Sequence, residues 1–410
     1  MPKQSLFRNL RAVPRGIWAI GFVAMFMDIS SEMIHSLLPV FLVSTLGASV
    51  ALVGLIEGIA EAAASITKVF SGWISDRLGK RKLLVLLGYG LAAITKPVFP
   101  LAVTPFEVLG ARFADRVGKG LRGAPRDALV ADLTTPGTRG AAFGLRQALD
   151  SAGAFLGPAL AMFLLALFAG NMRAVFAWAI VPAIIAVLLV IFGVDEPKRS
   201  KGSKLFPAPI RWAEIRGMGW PFWSVVVVGM VFTLARFSEA FLVLRAQGVG
   251  LRLTLIPLVL IVMNVVYTAV AAPAGALSDK MDRRTLLGIG LGVLILADLA
   301  LALSPSIGGV LVGVALWGVH MGLTQGLLSA LVADAAPDRL RGTAFGIFNL
   351  ATGVMLLIAS TLAGSLWAAF GASATFIAGA MFCVLALFGL VLLNRFRPTK
   401  EGLSGSQVTK

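Results

Sequence analysis

Residues Leu129 to Gly144 read LVADLTTPGTRGAAFG, and residues Leu331 to Gly346 read LVADAAPDRLRGTAFG, identical at nine of sixteen positions at a constant offset of 202. A second landmark lies at nearly the same offset: GWISDRLGKRK from Gly72 to Lys82 returns, degraded, as GALSDKMDRR from Gly275 to Arg284. A chain with two such echoes reads as two copies of one unit. What the unit is depends on its solvent.

That solvent is a lipid bilayer. Of 410 residues, 58% are apolar and only 14% charged, and the mean hydropathy is +0.90, far from the composition of water-soluble domains. A helix needs about 20 mostly apolar residues to cross roughly 30 Å of hydrocarbon. Cutting the chain at its charged, Gly and Pro clusters predicts twelve spans, at 16–45, 50–75, 82–103, 106–128, 140–169, 173–194, 221–247, 252–278, 284–304, 308–333, 341–369 and 372–394. The first follows Lys3, Arg8, Arg11 and Arg15 but is too long for a signal peptide and lacks a small-residue cleavage pattern, so it reads as a retained span. The single Cys383 excludes an internal disulfide and any multi-cysteine metal site. No Asn-x-Ser/Thr acceptor occurs, which fits a prokaryotic protein.

The net charge of +16 is distributed by topology and does not call for a nucleic acid. Basic residues crowd the amino terminus, the 76–82 loop, the 195–217 linker, the 279–284 and 338–341 loops and the tail. The intervening connections, such as LGASVA at 46–51 and SPSIGG at 304–309, are nearly uncharged. This alternation is the positive-inside pattern, with both termini expected in the cytoplasm and the chain in a cell (inner) membrane. The polar stretch from Asp195 to Gly219 separates six spans from six. The expected organisation is a bundle at 1–194, a cytoplasmic linker at 195–219, a second bundle at 220–394 and a tail at 395–410.

On these residues the chain resembles the major facilitator superfamily over essentially its whole length. The family signature between spans two and three is met by Gly72, Asp76, Arg77, Gly79, Lys80 and Arg81. The span-four motif looks like Arg112 through Gly120, with Asp115 and Arg116 where Gln and Gly are usual. The span-five antiporter motif appears as Gly153, Gly157 and Pro158, with Ala161 and Met162 replacing its last two glycines. The carboxyl half keeps Gly275, Asp279 and Lys280, has Asp282 where the signature has Gly, and lacks the Gly-Pro pair. The resemblance implies an all-α integral membrane protein, twelve helices in two six-helix repeats, near the drug/proton antiporter branch. It also implies alternating access, with a tilt toward export from the antiporter motif.

The signature also has a physical reading of its own. A carboxylate at a helix end can cap a neighbouring helix amino terminus, and an Arg of the basic run can pair with Asp127 or Asp132. Contacts that form in one conformation and break in another are latches. Asp76, Arg77, Asp132, Arg139, Asp279, Asp334 and Arg341 are the expected ones, and plain topology is the competing account of the basic loop.

Ionisable groups at mid-membrane cost on the order of 3 kcal/mol each, so those retained are expected to be buried, paired and functional. Span one carries Asp28, Glu32 and His35 within one arc of the helix, span two carries Glu57, Glu61 and Lys68 on one stripe, and span four carries Arg112, Asp115, Arg116, Lys119, Arg122 and Arg126. Lys96 in span three and Arg146 with Asp150 in span five complete the set. At the 202 offset Lys119, Arg122 and Arg126 become Met321, Thr324 and Leu328, so the basic stripe is not needed to build a half. Two readings stay open for this network: structural ion pairs that lock the helices, or carboxylates that exchange protons while nearby cations tune them or hold a substrate anion. The expected proton-coupling groups are Asp28, Glu32, His35, Glu57 and Glu61. The expected substrate-binding groups are Arg112, Asp115, Lys119, Arg236 and Glu239. Asn264, His320 and Gln325 are weaker candidates for the same cavity.

GYGLAA at Gly88 to Ala93 lies inside an apolar span with no strand before it and reads as helix packing, not a dinucleotide loop. No nucleophile elbow, phosphate-binding Gly-Lys-Ser/Thr loop or His-Glu-x-x-His occurs, so no enzyme and no cofactor are expected. The expectation is a monomeric secondary transporter with a small-molecule substrate, protons and the lipid bilayer as partners, exporting a small organic solute by proton antiport. Uptake or exchange of an organic anion is the alternative, and divalent metal export a weaker one, since the cations of span four oppose a metal at Asp28, Glu32 and His35.

Overall fold

The computed structural model describes residues 13–78, 80–196, 217–278, 280–337 and 340–395, with the side chains of Asp76, Pro136 and 392–395 also outside the description. Every regular element among them is helical. We number the long helices α1 (Arg15–His35), α2 (Val50–Leu78), α3 (Arg81–Thr95), α4 (Pro105–Asp132), α5 (Pro136–Leu167), α6 (Ile180–Gly193), α7 (Gly219–Ala235), α8 (Leu258–Ser278), α9 (Arg283–Leu303), α10 (Ile307–Ala335), α11 (Arg341–Phe370) and α12 (Ala372–Arg395). Counting short continuations with their parent helices, eleven of these are long and apolar enough to cross a membrane. The remaining one, α4, fails only because of its charged stripe.

Local sequence sets the boundaries. Thr104 and Glu107 form a capping box ahead of α4, with Pro105 at the first helical position. Ser306, 202 residues later, caps α10 by accepting from the Gly309 N–H. Asp282, where the family signature has Gly, caps α9 by accepting from the Thr285 N–H at 3.3 Å. Several spans break near proline. The first stops at His35 and resumes through Leu38–Val40, with Pro39 inside, and a π-helical turn at Phe41–Thr45. The third stops at Thr95 before Pro97 and resumes at Val98–Leu101. The seventh breaks without proline or glycine: residues 236–239 leave the helix before Ala240–Gly248. Gly371, at φ 86°, makes the whole connection between α11 and α12 in a conformation other residues resist.

Small residues let the helices approach. A Cβ on Gly153 would stand 2.7 Å from the Met25 carbonyl and 2.9 Å from the Asp28 Cβ, and one on Gly157 would stand 2.6 Å from the Glu32 Cβ. The antiporter-motif glycines therefore seat α5 against the acidic face of α1. Gly88 and Gly118 bring α3 against α4 in the same way. At the 202 offset the corresponding pair is Gly290 and His320, joined by a 2.8 Å hydrogen bond between the Gly290 carbonyl and the His320 Nδ1.

The helices before residue 196 meet those after 217 mainly through α2 against α11, with α5 against α8. Gly54 lies under the Ser360 carbonyl, Gly58 under that of Leu357, and Gly364 under that of Val50. At the end where the connections are uncharged, Ala240–Gly248 also packs on Leu38–Val40, and the turn at Leu253–Leu255 packs on α5. At the opposite, basic end no described atom beyond the glycine's own stretch of helix lies within 4 Å of where a Cβ would stand on Gly140 and Gly144 of α5, Gly275 of α8 or Gly326 of α10. The halves are thus joined at the uncharged end; toward the basic end α5 and α8 are open at these glycines, whereas α2 and α11 stay in contact as far as Gly346, where a Cβ would stand 3.3 Å from Val69.

Candidate functional site

Between the halves lies a cavity of about 540 Å³, walled by α1, α2, α4 and α5 on one side and by α7, α8, α10 and α11 on the other. It runs from His35, Glu239 and Leu356 near the joined end to Gln147, Ser329 and Phe348 toward the basic end, where Gln147, Gln325 and Ser329 are exposed. Charge is concentrated on its amino-half wall and aromatic surface on the other. Asp28, Glu32, His35, Glu61, Arg116, Lys119 and Asp150 face Phe232, Arg236, Phe237, Glu239, Tyr267 and Phe348.

The helical stripe of α4 divides its charges among three destinations. Arg112 donates to Glu57 Oε2 at 2.9 Å, and both side chains are essentially sealed from solvent. Asp115 pairs with Lys96, the residue that caps the end of α3, at 2.9 Å, and Lys96 also donates to the Ser31 hydroxyl. Arg116 reaches Glu61 at 3.1 Å on the cavity wall, and Lys119 lies in the cavity close to Glu61, Asp28 and Glu32. Arg122 stacks over Tyr89 at 4.5 Å. In α5, Arg146 binds Asp150 at 2.5 Å and lies 3.8 Å from Asp127.

His35 bridges this set. Its Nδ1 is 3.5 Å from Glu32 and its Nε2 3.8 Å from Glu57, so one imidazole touches an acid in the cavity and an acid behind it. Of the expected proton-coupling groups, Asp28, Glu32, His35 and Glu61 line the cavity, whereas Glu57 is buried behind it. Of the expected substrate-binding groups, Lys119, Arg236 and Glu239 line it, whereas Arg112 and Asp115 are buried in ion pairs and do not. Asn264 and Gln325 line it as well, and Asn264 also donates to the Ala154 carbonyl of α5 at 3.4 Å. His320 lies behind the wall, stacked on Phe232 at 5.4 Å.

At the basic end Arg81 pairs with Asp132, and Arg283 with Asp334, the second pair standing at the 202 offset from the first. Both pairs join helices within one half, α3 to α4 and α9 to α10. Arg139 donates to the Ala131 carbonyl at 3.4 Å, and Arg77 lies over the Trp73 ring at 5.2 Å. Gly72 faces Ala124 of α4, Lys80 precedes the first turn of α3, and Arg341 opens α11. Gly79, Asp279 and the Asp76 side chain fall outside the described residues. Three polar or charged groups escaped the sequence reading. Glu196 accepts from the N–H groups of Arg81 and Lys82, each at 2.8 Å, capping α3, and Arg283 supplies the second basic-end pair. The third is Asp298, buried in α9.

The family model described as Major Facilitator Superfamily matches residues 20–263 and 240–408. The chain belongs to the major facilitator superfamily. It is 31% identical over 391 residues to an uncharacterized MFS-type transporter of Methanocaldococcus jannaschii, covering 94% of this chain and 96% of that one. A shorter stretch of 160 residues is 34% identical to the multidrug resistance protein MdtH of Photorhabdus laumondii, covering 39% of this chain and 36% of that one. Among solved structures the fold is similar to that of a bacterial homolog of the human lysosomal transporter Spinster in an inward-facing, unoccupied conformation, at TM-score 0.75 and 17% identity over 94% of this chain and 97% of that one. It is also similar to the nucleoside transporter NupG, at TM-score 0.75 and 13% identity over 94% of this chain and 100% of that one. The protein is a multi-pass membrane transporter that carries small molecules, and it is not an enzyme.

Proposed function

We propose that this transporter works by alternating access as a proton-coupled antiporter exporting a small organic solute, its two six-helix repeats rocking about the cavity. The observation that carries the reading is the cavity itself. Titratable carboxylates from α1 and α2 share one chamber with aromatic surface and with Arg236 and Glu239 of the other half, and its lining residues toward the basic end, Gln147, Gln325 and Ser329, are exposed. If the basic end is cytoplasmic, as the positive-inside pattern implies, this is the cytoplasm-open member of the cycle.

In this reading Asp28 and Glu32 carry the proton, with Glu61 and His35 as neighbours that adjust them. Arg112, Asp115 and Glu57 hold the frame from behind, where their ion pairs fix the faces of α2, α3 and α4. Lys119 and Arg236, on opposite walls and without an ion pair within 4 Å among the described residues, favour a second reading, exchange of an organic anion. Among the described residues no group of three or more ligand-type side chains is placed to hold a metal ion, so metal export gains no support.

The test is reconstitution in proteoliposomes with an internal pH dye. Small organic solutes are screened for solute-dependent proton movement in the wild type, Asp28→Asn and Glu32→Gln. Coupled antiport requires a solute that drives proton flux and a variant that abolishes the flux while still binding the solute. Transport with no proton movement, or normal coupling in both variants, removes the proton role of span one and moves anion exchange to the front.

A further inference from the structure

α9 carries one carboxylate in the middle of an otherwise apolar span, Asp298. Its side chain is fully buried, and neither oxygen has a hydrogen-bond partner among the described residues. The position 202 residues earlier is Lys96, whose charge is met by Asp115 and the Ser31 hydroxyl, and the counterpart of Asp115 is Trp317. Where the amino half places two opposite charges in contact, the carboxyl half therefore has a carboxylate and an indole N–H, and that N–H is also without a partner among the described residues.

The surroundings are specific. A Cβ on Gly379 of α12 would stand 2.7 Å from Asp298 Oδ2 and 3.0 Å from the Phe237 ring, so acid and ring both pack against the same glycine. Phe237 is also among the residues that line the cavity, and it packs on Trp317 at 5.5 Å and Phe376 at 5.6 Å. It sits in the non-helical break of α7, residues 236–239, where the backbone that carries the ring lies outside the helical hydrogen-bond ladder. The titratable and charged groups around Asp298 are few. Cys383 faces it from α12, and His320, whose Nε2 has no hydrogen-bond partner among the described residues, lies one turn beyond Trp317 on α10. Arg236 and Glu239 flank Phe237 on α7, with their side chains on the cavity wall.

An ionised carboxylate sealed in apolar surroundings without a partner costs several kcal/mol, whereas its neutral acid costs far less. A cation needs several oxygen ligands that the described residues do not assemble here. The ligand that fits one lone carboxylate is a proton. We propose that Asp298 is a proton-binding site of the carboxyl half, reached from the cavity when the Phe237 ring moves aside. The proton passes from cavity water to a carboxylate oxygen and returns by the same path, with no other bond made or broken. The site is separate from the span-one acids and stands whether or not those acids couple transport.

Infrared difference spectroscopy on the reconstituted full chain, cycled between acid and alkaline buffer, tests this with the proton itself as probe. The expected result is a protonated-carboxyl band that appears and disappears reversibly, is lost in Asp298→Asn and is kept in Asp28→Asn and Glu32→Gln. In Phe237→Ala the band should exchange with deuterium faster than in the wild type. A band that survives Asp298→Asn, or an acid that neither titrates nor exchanges in the wild type, overturns the proposal. Should Asp298→Asn fail to fold, Phe237→Ala still decides: an exchange rate equal to that of the wild type overturns it.

Discussion

Glu57→Gln removes the negative member of the most deeply sealed ion pair among the described residues. Arg112 and Glu57 are 2% and 1% exposed and 2.9 Å apart. With charge centres about 4 Å apart, the attraction is about 4 kcal/mol at an effective dielectric of 20. Breaking a buried pair by deleting one partner costs about 3–5 kcal/mol, because the survivor is left as an uncompensated charge. Glu57→Gln is therefore expected to lose stability of that order. Arg112→Met is expected to lose less, since Glu57 keeps His35 Nε2 at 3.8 Å. The double variant Glu57→Leu/Arg112→Met, which leaves no charge behind, is expected to recover most of the loss. Cys383 supplies the assay: it is the single cysteine and fully buried, so a thiol-reactive fluorophore reports its exposure as the protein unfolds on heating. A Glu57→Gln protein within about 1 kcal/mol of the wild type, or a double variant no better than Glu57→Gln, would refute the reasoning.

Gly157→Ala forces a Cβ to within 2.6 Å of the Glu32 Cβ, and overpacking of this kind costs about 1–3 kcal/mol. The unfolding midpoint should fall and proton movement driven by a solute should slow, whereas Gly144→Ala, with open space around it, should be silent in both measurements. Asp132→Asn and Asp334→Asn break pairs whose acids are 39% and 63% exposed, so each is expected to change stability by no more than about 1 kcal/mol in the same thermal assay. Cysteines placed at Ser329 and at Ser360 should differ in labelling. A membrane-impermeant thiol reagent applied from the basic side should modify Ser329→Cys readily and leave Ser360→Cys, sealed at the α2–α11 contact, unmodified.

The spans were legible because a bilayer-crossing helix needs a long apolar run, and such runs end where charge, Gly and Pro gather. The helices found differ from those expected by a few residues, chiefly because α2, α4, α5 and α10 run further into the basic end than hydropathy alone suggests. The break in α7 was not legible, since ARFSEA holds neither proline nor glycine. It follows from contacts remote in sequence, such as the Ser238 N–H donating to the Ser360 hydroxyl. Helical spacing correctly gathered the charges of α4 on one broad face but had no means of assigning them to neighbours. An arc wide enough to hold Arg112, Asp115 and Lys119 spans the contact with α2, the contact with α3 and the cavity between. Asp298 was invisible for the opposite reason: it has no charged residue three or four positions away to form a pattern, and its significance comes from what fails to surround it.

The charge carried by α4 also constrains how the protein is made. Arg112, Asp115, Arg116, Lys119 and Arg122 fall within three turns, and each charged residue near a helix centre raises the cost of entering lipid by roughly 2.5–3.5 kcal/mol. Such a segment has no independent tendency to leave the translocation channel for the bilayer. Its counterions are Glu57 and Glu61 on α2 and Lys96 at the end of α3, all synthesised earlier. α4 can therefore partition only once α2 and α3 are held nearby as a receptive polar groove, which makes the amino half a unit of biogenesis. A single substitution at Glu57 or Lys96 should then also lower the yield of membrane-inserted protein, over and above the loss of stability in the protein that does insert.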